Sequence, residues 1–79
     1  MMNKVYVVAD KDRVVYSVNS SWRVAYLNMI QLMADLGLRV TSVQHMEVAD
    51  IFSCEYPETG ERDEFSIDEY EVDDLSIFH

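Results

Sequence analysis

The sequence predicts an α+β domain: a small antiparallel sheet in the element order β-β-α-β-β-β, with one helix packed on one face. Three observations carry the prediction. Two β-branched and aromatic runs flank a polar turn near the start. One stretch between residues 22 and 36 repeats apolar residues at helical spacing. Two alternating runs near residues 50 to 67 are joined by Pro57-Glu58-Thr59-Gly60.

Residues 4–9 (KVYVVA) and 13–18 (RVVYSV) read as a hairpin about Asp10-Lys11-Asp12. Val5, Val7 and Ala9 would share one face, and Val14, Tyr16 and Val18 one face of the second strand. The helix follows, with Ser20 or Ser21 as N-cap and Gly37 closing it in a left-handed conformation. Trp22, Ala25, Tyr26, Met29, Met33 and Leu36 form one apolar stripe, which Ile30 and Leu32 widen. Arg23, Asn28, Gln31 and Asp35 fall on the polar side, together with Val24 and Leu27, where a solvated helix prefers charged residues.

A third strand is expected at 38–43. A fourth, at 50–56, places Phe52, Cys54 and Tyr56 on one face. Proline presets a type I turn at 57–60, and Gly60 takes the positive-φ position that returns the chain to a fifth strand at 62–67. Residues 1–79 read as a single domain without repeats or linkers.

The stretch ERDEFSIDEYEVDD, residues 61–74, holds eight carboxylates against Arg62 alone, threaded by Phe65, Ile67, Tyr70 and Val72. Its apolar phase changes midway: Phe65 and Ile67 are odd-numbered, Tyr70 and Val72 even. One strand brings both pairs to one face only through a bulge or turn. Ser66 to Glu69 also has capping-box spacing, which would start a helical turn near Ile67. The apolar residues predict that the stretch docks onto the domain, leaving a disordered tail only for 76–79.

Net charge is −9, and its distribution is uneven. Residues 1–46 carry five basic groups against three acidic ones, a balance of +2. Residues 47–79 carry one arginine against twelve carboxylates, a balance of −11. General halophilic acidification or a solubility device would not segregate charge in this way. An acidic half repels nucleic acid and membrane surfaces and attracts basic proteins. Neither direct nucleic-acid binding nor a membrane is therefore expected. Without a spanning apolar run or signal core, and with a single cysteine, Cys54, the expected location is the cytoplasm.

Assembled chemistry is scarce. Both glycines, Gly37 and Gly60, serve as punctuation rather than as a phosphate loop. One cysteine with His45 and His79 supplies no closed zinc site. Asp10-Lys11-Asp12 lacks the rest of a calcium loop, and 61–74 lacks a glycine turn to wrap an ion. Cys54, between Phe52 and Tyr56, reads as a core thiol. The reading is of a non-enzyme with no metal and no cofactor.

Two roles are expected. The first is a stoichiometric inhibitor that occupies the basic nucleic-acid-binding surface of a DNA- or RNA-handling protein. Glu58, Glu61, Asp63, Glu64, Asp68, Glu69, Glu71, Asp73 and Asp74 would approximate a row of phosphates, with Tyr70 as a contact. In size and acidity the chain resembles the small phage inhibitors of host DNA-handling enzymes: anti-CRISPR proteins, restriction antagonists and uracil–DNA glycosylase inhibitors. That resemblance implies a phage-encoded, non-catalytic partner of a basic protein. The second role is a homodimeric adaptor or assembly protein, using Val24, Leu27, Ile30 and Gln31 on the helix together with the Leu75-Ser76-Ile77-Phe78 end.

Overall fold

Six elements follow one another in the computed structural model, which describes residues 2–73: β1 (Met2–Asp10), β2 (Val15–Asn19), α1 (Trp22–Leu36), β3 (Arg39–His45), β4 (Ala49–Glu55) and β5 (Arg62–Asp73). Every strand pairing is antiparallel, and the sheet order is β2-β1-β5-β4-β3. The predicted α+β class and element order hold. The last strand is inserted at the centre of the sheet, between the first and the fourth.

Local chemistry sets the helix ends. The Val24 N–H donates to Ser21 Oγ at 3.2 Å, satisfying one of the amides that a helix start leaves unpaired. At the other end Gly37 has φ +75°, and the Leu38 N–H reaches back to the Met33 carbonyl at 2.9 Å. The β4–β5 turn closes as expected: Gly60, also at φ +75°, donates its N–H to the Tyr56 carbonyl at 2.8 Å.

Ala25, Met29 and Met33 of α1 pack on Val8, Phe52, Cys54, Phe65 and Ile67 of the sheet. Tyr6, Tyr26, Ile30, Leu32, Leu38 and Val40 border this core. Trp22 and Leu36, at the two ends of the predicted apolar stripe, stay partly exposed, at 38% and 42%.

Register assigns each strand residue to a face, since directly opposed residues share one. Val8 opposes Ile67 and Phe65 opposes Phe52, so even positions of β1 and odd positions of β5 face α1. Val5, Val7 and Ala9 do share a face, as expected, but it is the face opposite α1. The expectation for the second strand is corrected. Ser17 opposes Val8 and Val15 opposes Ala9, leaving Tyr16 as the extra residue of a bulge. Its ring lies 5.6 Å from that of Phe65, while Val18 opposes Val7 on the other face. Val14 precedes the strand.

The break expected within 61–74 is also corrected. β5 runs from Arg62 to Asp73, and its ladder with β1 has no irregularity from Asp73 to Phe65. Ser66 to Glu69 is strand, not a helical turn. Phe65 and Ile67 face the core under α1, whereas Tyr70 and Val72 face the opposite side. The apolar phase changes because the two ends of the strand carry their apolar side chains on different faces. β2 pairs with Tyr6–Ala9 of β1, and β4 with Arg62–Asp68 of β5. Beyond those limits β1 and β5 continue as a two-stranded ribbon.

Candidate functional site

The predicted acidic surface is built on the central strand and on the turn that leads into it. Glu64, Asp68 and Tyr70 occupy the face opposite α1; Asp63, Glu69 and Glu71 occupy the α1 side. Glu58 and Glu61 sit at the exposed β4–β5 turn. Asp73 is the last described residue of β5, where it pairs with Met2. Asp74 and the Leu75–Phe78 stretch lie outside the described residues. A straight strand thus divides its acids between two faces rather than presenting one row. On one face, successive carboxylates such as Glu69 and Glu71 stand roughly 7 Å apart.

Few cations meet these groups. Lys4 Nζ lies 3.6 Å from Glu69 Oε2, with Lys4 largely exposed. Arg39 Nη2 reaches Glu55 Oε1 at 2.6 Å. Among the described residues, Glu58, Glu61, Asp63, Glu64, Asp68 and Glu71 have no cation within ion-pair distance. Asp68 accepts a hydrogen bond of 3.2 Å from the Ser66 hydroxyl, and Asp63 accepts one of 2.8 Å from the Glu64 N–H. Asp10, on the β1–β2 turn, differs. The Val14 and Asp12 amides bond its Oδ1 and the Tyr16 hydroxyl its Oδ2. Its carboxyl is held below the ordinary value, chiefly by the Val14 N–H, and Tyr16 is raised by the bond it donates.

On the helix, Val24 and Leu27 are exposed at 45% and 56%, with Gln31 beside them. Ile30 instead turns inward, against the core. Of the predicted helix face, Val24, Leu27 and Gln31 therefore form the outward group.

Sequence reasoning missed a second surface: the face of the sheet opposite α1. Val15 and Val18 of β2 are 55% and 62% exposed, and Tyr70 of β5 48%. Val5 and Val7 stand between them on the same face. The signal was present as the unbroken apolar run Val5-Tyr6-Val7-Val8-Ala9. Strands wet on one face alternate, whereas strands covered on both faces read as continuous apolar runs.

Among the described residues, the surface depressions assemble no reacting pair. The one lined by Asp10, Lys11, Arg13, Glu64 and Asp68 holds about 320 Å³. Cys54 is buried at 1% exposure, and burial, with Asp63 and Glu64 nearby, pushes its thiol up to about 11. That is the opposite of an activated nucleophile. Among the described residues, no three His, Cys, Asp or Glu side chains converge as metal ligands, and no helix is long and apolar enough to cross a membrane. No protein-family model, curated protein or solved structure matches the chain.

Proposed function

We propose that this protein is a non-catalytic inhibitor, of the kind phages direct at host enzymes, that binds the basic nucleic-acid-binding surface of a DNA- or RNA-handling protein. One observation carries the reading: six carboxylates on β5 and its leading turn make no ion pair among the described residues. Left unneutralised, such groups generate a field that speeds encounter with a cationic surface and fades with salt. The division of acids between two faces favours a field that guides docking over a point-for-point copy of a phosphate row.

The test uses immobilised protein, a bacterial lysate and two salt concentrations. Basic nucleic-acid-handling proteins should be retained at low salt and released at high salt. Their nucleic-acid-dependent activity should fall when the protein is added. The triple variant Glu64→Lys, Asp68→Lys, Glu71→Lys should retain none of them, provided its circular dichroism matches the wild type. Affinity that ignores salt over a wide range would sink the reading.

A second reading, a homodimer through the helix, rests on the exposure of Val24 and Leu27. Sedimentation of the wild type and of Leu27→Asp decides it. A monomer in both removes the dimer.

A further inference from the structure

We infer that the sheet face opposite α1 docks an amphipathic helix of the partner, with its apolar stripe on the valines and its basic flank over Asp68. This rests on the reading of the protein as a binder of basic proteins, and it names the surface and the element bound. Sheets bury an apolar face against another layer. Among the described residues, α1 supplies that layer on one side only. Tyr6 and Val8 account for the α1 side of β1, while Val5 and Val7 face the other way.

The face is apolar at one margin and acidic at its centre. Val18 opposes Val7, which in turn opposes Asp68 on β5. Asp68 is half-buried, accepts one hydroxyl hydrogen bond and makes no ion pair among the described residues, although Lys11 and Arg13 line the same depression. Charge chooses the occupant. A second copy laid face to face would bring its own Asp68 into the same drying layer, between two chains of net charge −9. A wholly apolar partner would desolvate Asp68 without compensation. A helix whose apolar stripe is bordered by lysine or arginine covers the valines and supplies Asp68 with a direct ion-pair partner. The result is a helix–sheet–helix sandwich with β1 covered on both faces, in keeping with its continuous apolar run.

The experiment titrates isotope-labelled full-length protein with three synthetic peptides at low salt. One is a leucine–lysine peptide with its leucines on one helical stripe. The second has the same composition with the leucines scattered, and the third is oligolysine. The striped peptide should shift the amides of Val5, Val7, Val18 and Tyr70 and bind about tenfold tighter than the scattered one, a difference of about 1.4 kcal/mol. Val18→Glu should abolish that preference. Val18→Ser should weaken it, and serves in its place if the glutamate variant fails to fold. Equal binding of all three peptides, with shifts confined to Glu58, Glu61 and Glu71, would overturn this inference and leave the acidic-surface reading standing. No binding of any basic peptide would overturn both. A concentration-dependent dimer dispersed by Val18→Glu would assign the face to a second copy and overturn the inference as well.

Discussion

Trp22 and Asp50 are joined by a hydrogen bond of 2.8 Å from the indole Nε1 to Oδ2, which ties the first residue of α1 to β4. The other oxygen of Asp50 meets the ring of His45 at 2.6 Å, at the end of β3. The indole also stacks on Tyr26, with centroids 5.1 Å apart and planes 9° from parallel. One carboxylate therefore organises the corner where the helix begins.

Removing that carboxylate should loosen the corner. Asp50→Ala is expected to cost about 1 kcal/mol in urea unfolding, since it removes the shared acceptor of two partly solvated rings. Asp50→Asn keeps an acceptor for the indole and should cost less. Trp22 fluorescence reports the change directly, as it is the only tryptophan. An alanine variant as stable as the wild type, with unchanged emission, would mean that water satisfies both rings equally well.

The ends of the helix give a second expectation. Ser21→Ala removes the acceptor for the Val24 amide and should cost about 1 kcal/mol. Gly37→Ala should cost about 1–2 kcal/mol for a different reason. A Cβ at Gly37 would meet nothing within 4 Å, so the whole penalty is that of φ +75° for an L-residue. Gly37→Asn should recover part of it, because asparagine tolerates the left-handed region. An Ala variant matching the wild type in urea midpoint would show that the helix end relaxes out of that conformation.

Salt should stabilise this protein. At a net charge of −9, the unpaired carboxylates of β5 repel one another and the rest of the acidic half. Against this, among the described residues, stand only exposed or partly exposed pairs such as Lys4–Glu69, which are worth little. Raising ionic strength from about 0.01 M to about 0.15 M shortens the screening length from roughly 30 Å to roughly 8 Å. The melting temperature measured by circular dichroism should rise over that interval. Asp68→Asn should lower the salt dependence without lowering stability. A melting temperature that falls with salt would mean that ion pairs outweigh the repulsion.

These expectations divide according to what is local in the chain. Ser21, Gly37 and Gly60 act through hydrogen bonds and φ values set within a few residues, so caps and turn were readable in advance. The inward stripe Ala25, Met29 and Met33 was equally readable, because helical periodicity alone defines it. The insertion of β5 between β1 and β4 was not, since nothing local encodes which distant strand a segment pairs with. The same gap explains Phe65 and Tyr70. Parity separates them, but only the placement of α1 over Phe65 reveals that the strand serves two faces without bending. The division of acids followed from the same parity, Asp63, Glu69 and Glu71 against Glu64 and Asp68. It became meaningful only once β5 proved to be straight. Tyr16 is the remaining case: a one-residue bulge reverses the phase of β2, and no residue in RVVYSV announces it.

Cys54 supplies the pH dependence. Burial is the leading cause that raises its thiol to about 11, with the Asp63 and Glu64 carboxylates acting in the same direction. In the unfolded chain the thiol ionises near its ordinary value of 9.0. Below that value both states hold the proton, and Cys54 adds no pH dependence. Between about 9 and about 11 the unfolded chain has released the proton while the folded one retains it, so stability falls as pH rises. Tyr16, raised by its bond to Asp10, bends the curve the same way, so the thiol's share has to be isolated by difference. The comparison is urea unfolding of the wild type and of Cys54→Ala at about pH 8 and about pH 10. The alanine variant should be less stable at the lower pH, by about 1 kcal/mol for the lost sulfur packing, and the gap should narrow at the higher pH. Near neutral pH an aromatic disulfide reagent should label Cys54 only at the rate at which the protein opens, and urea should accelerate it. Rapid labelling of the native protein, or a stability gap that stays constant with pH, would show that the thiol is not shielded by the core.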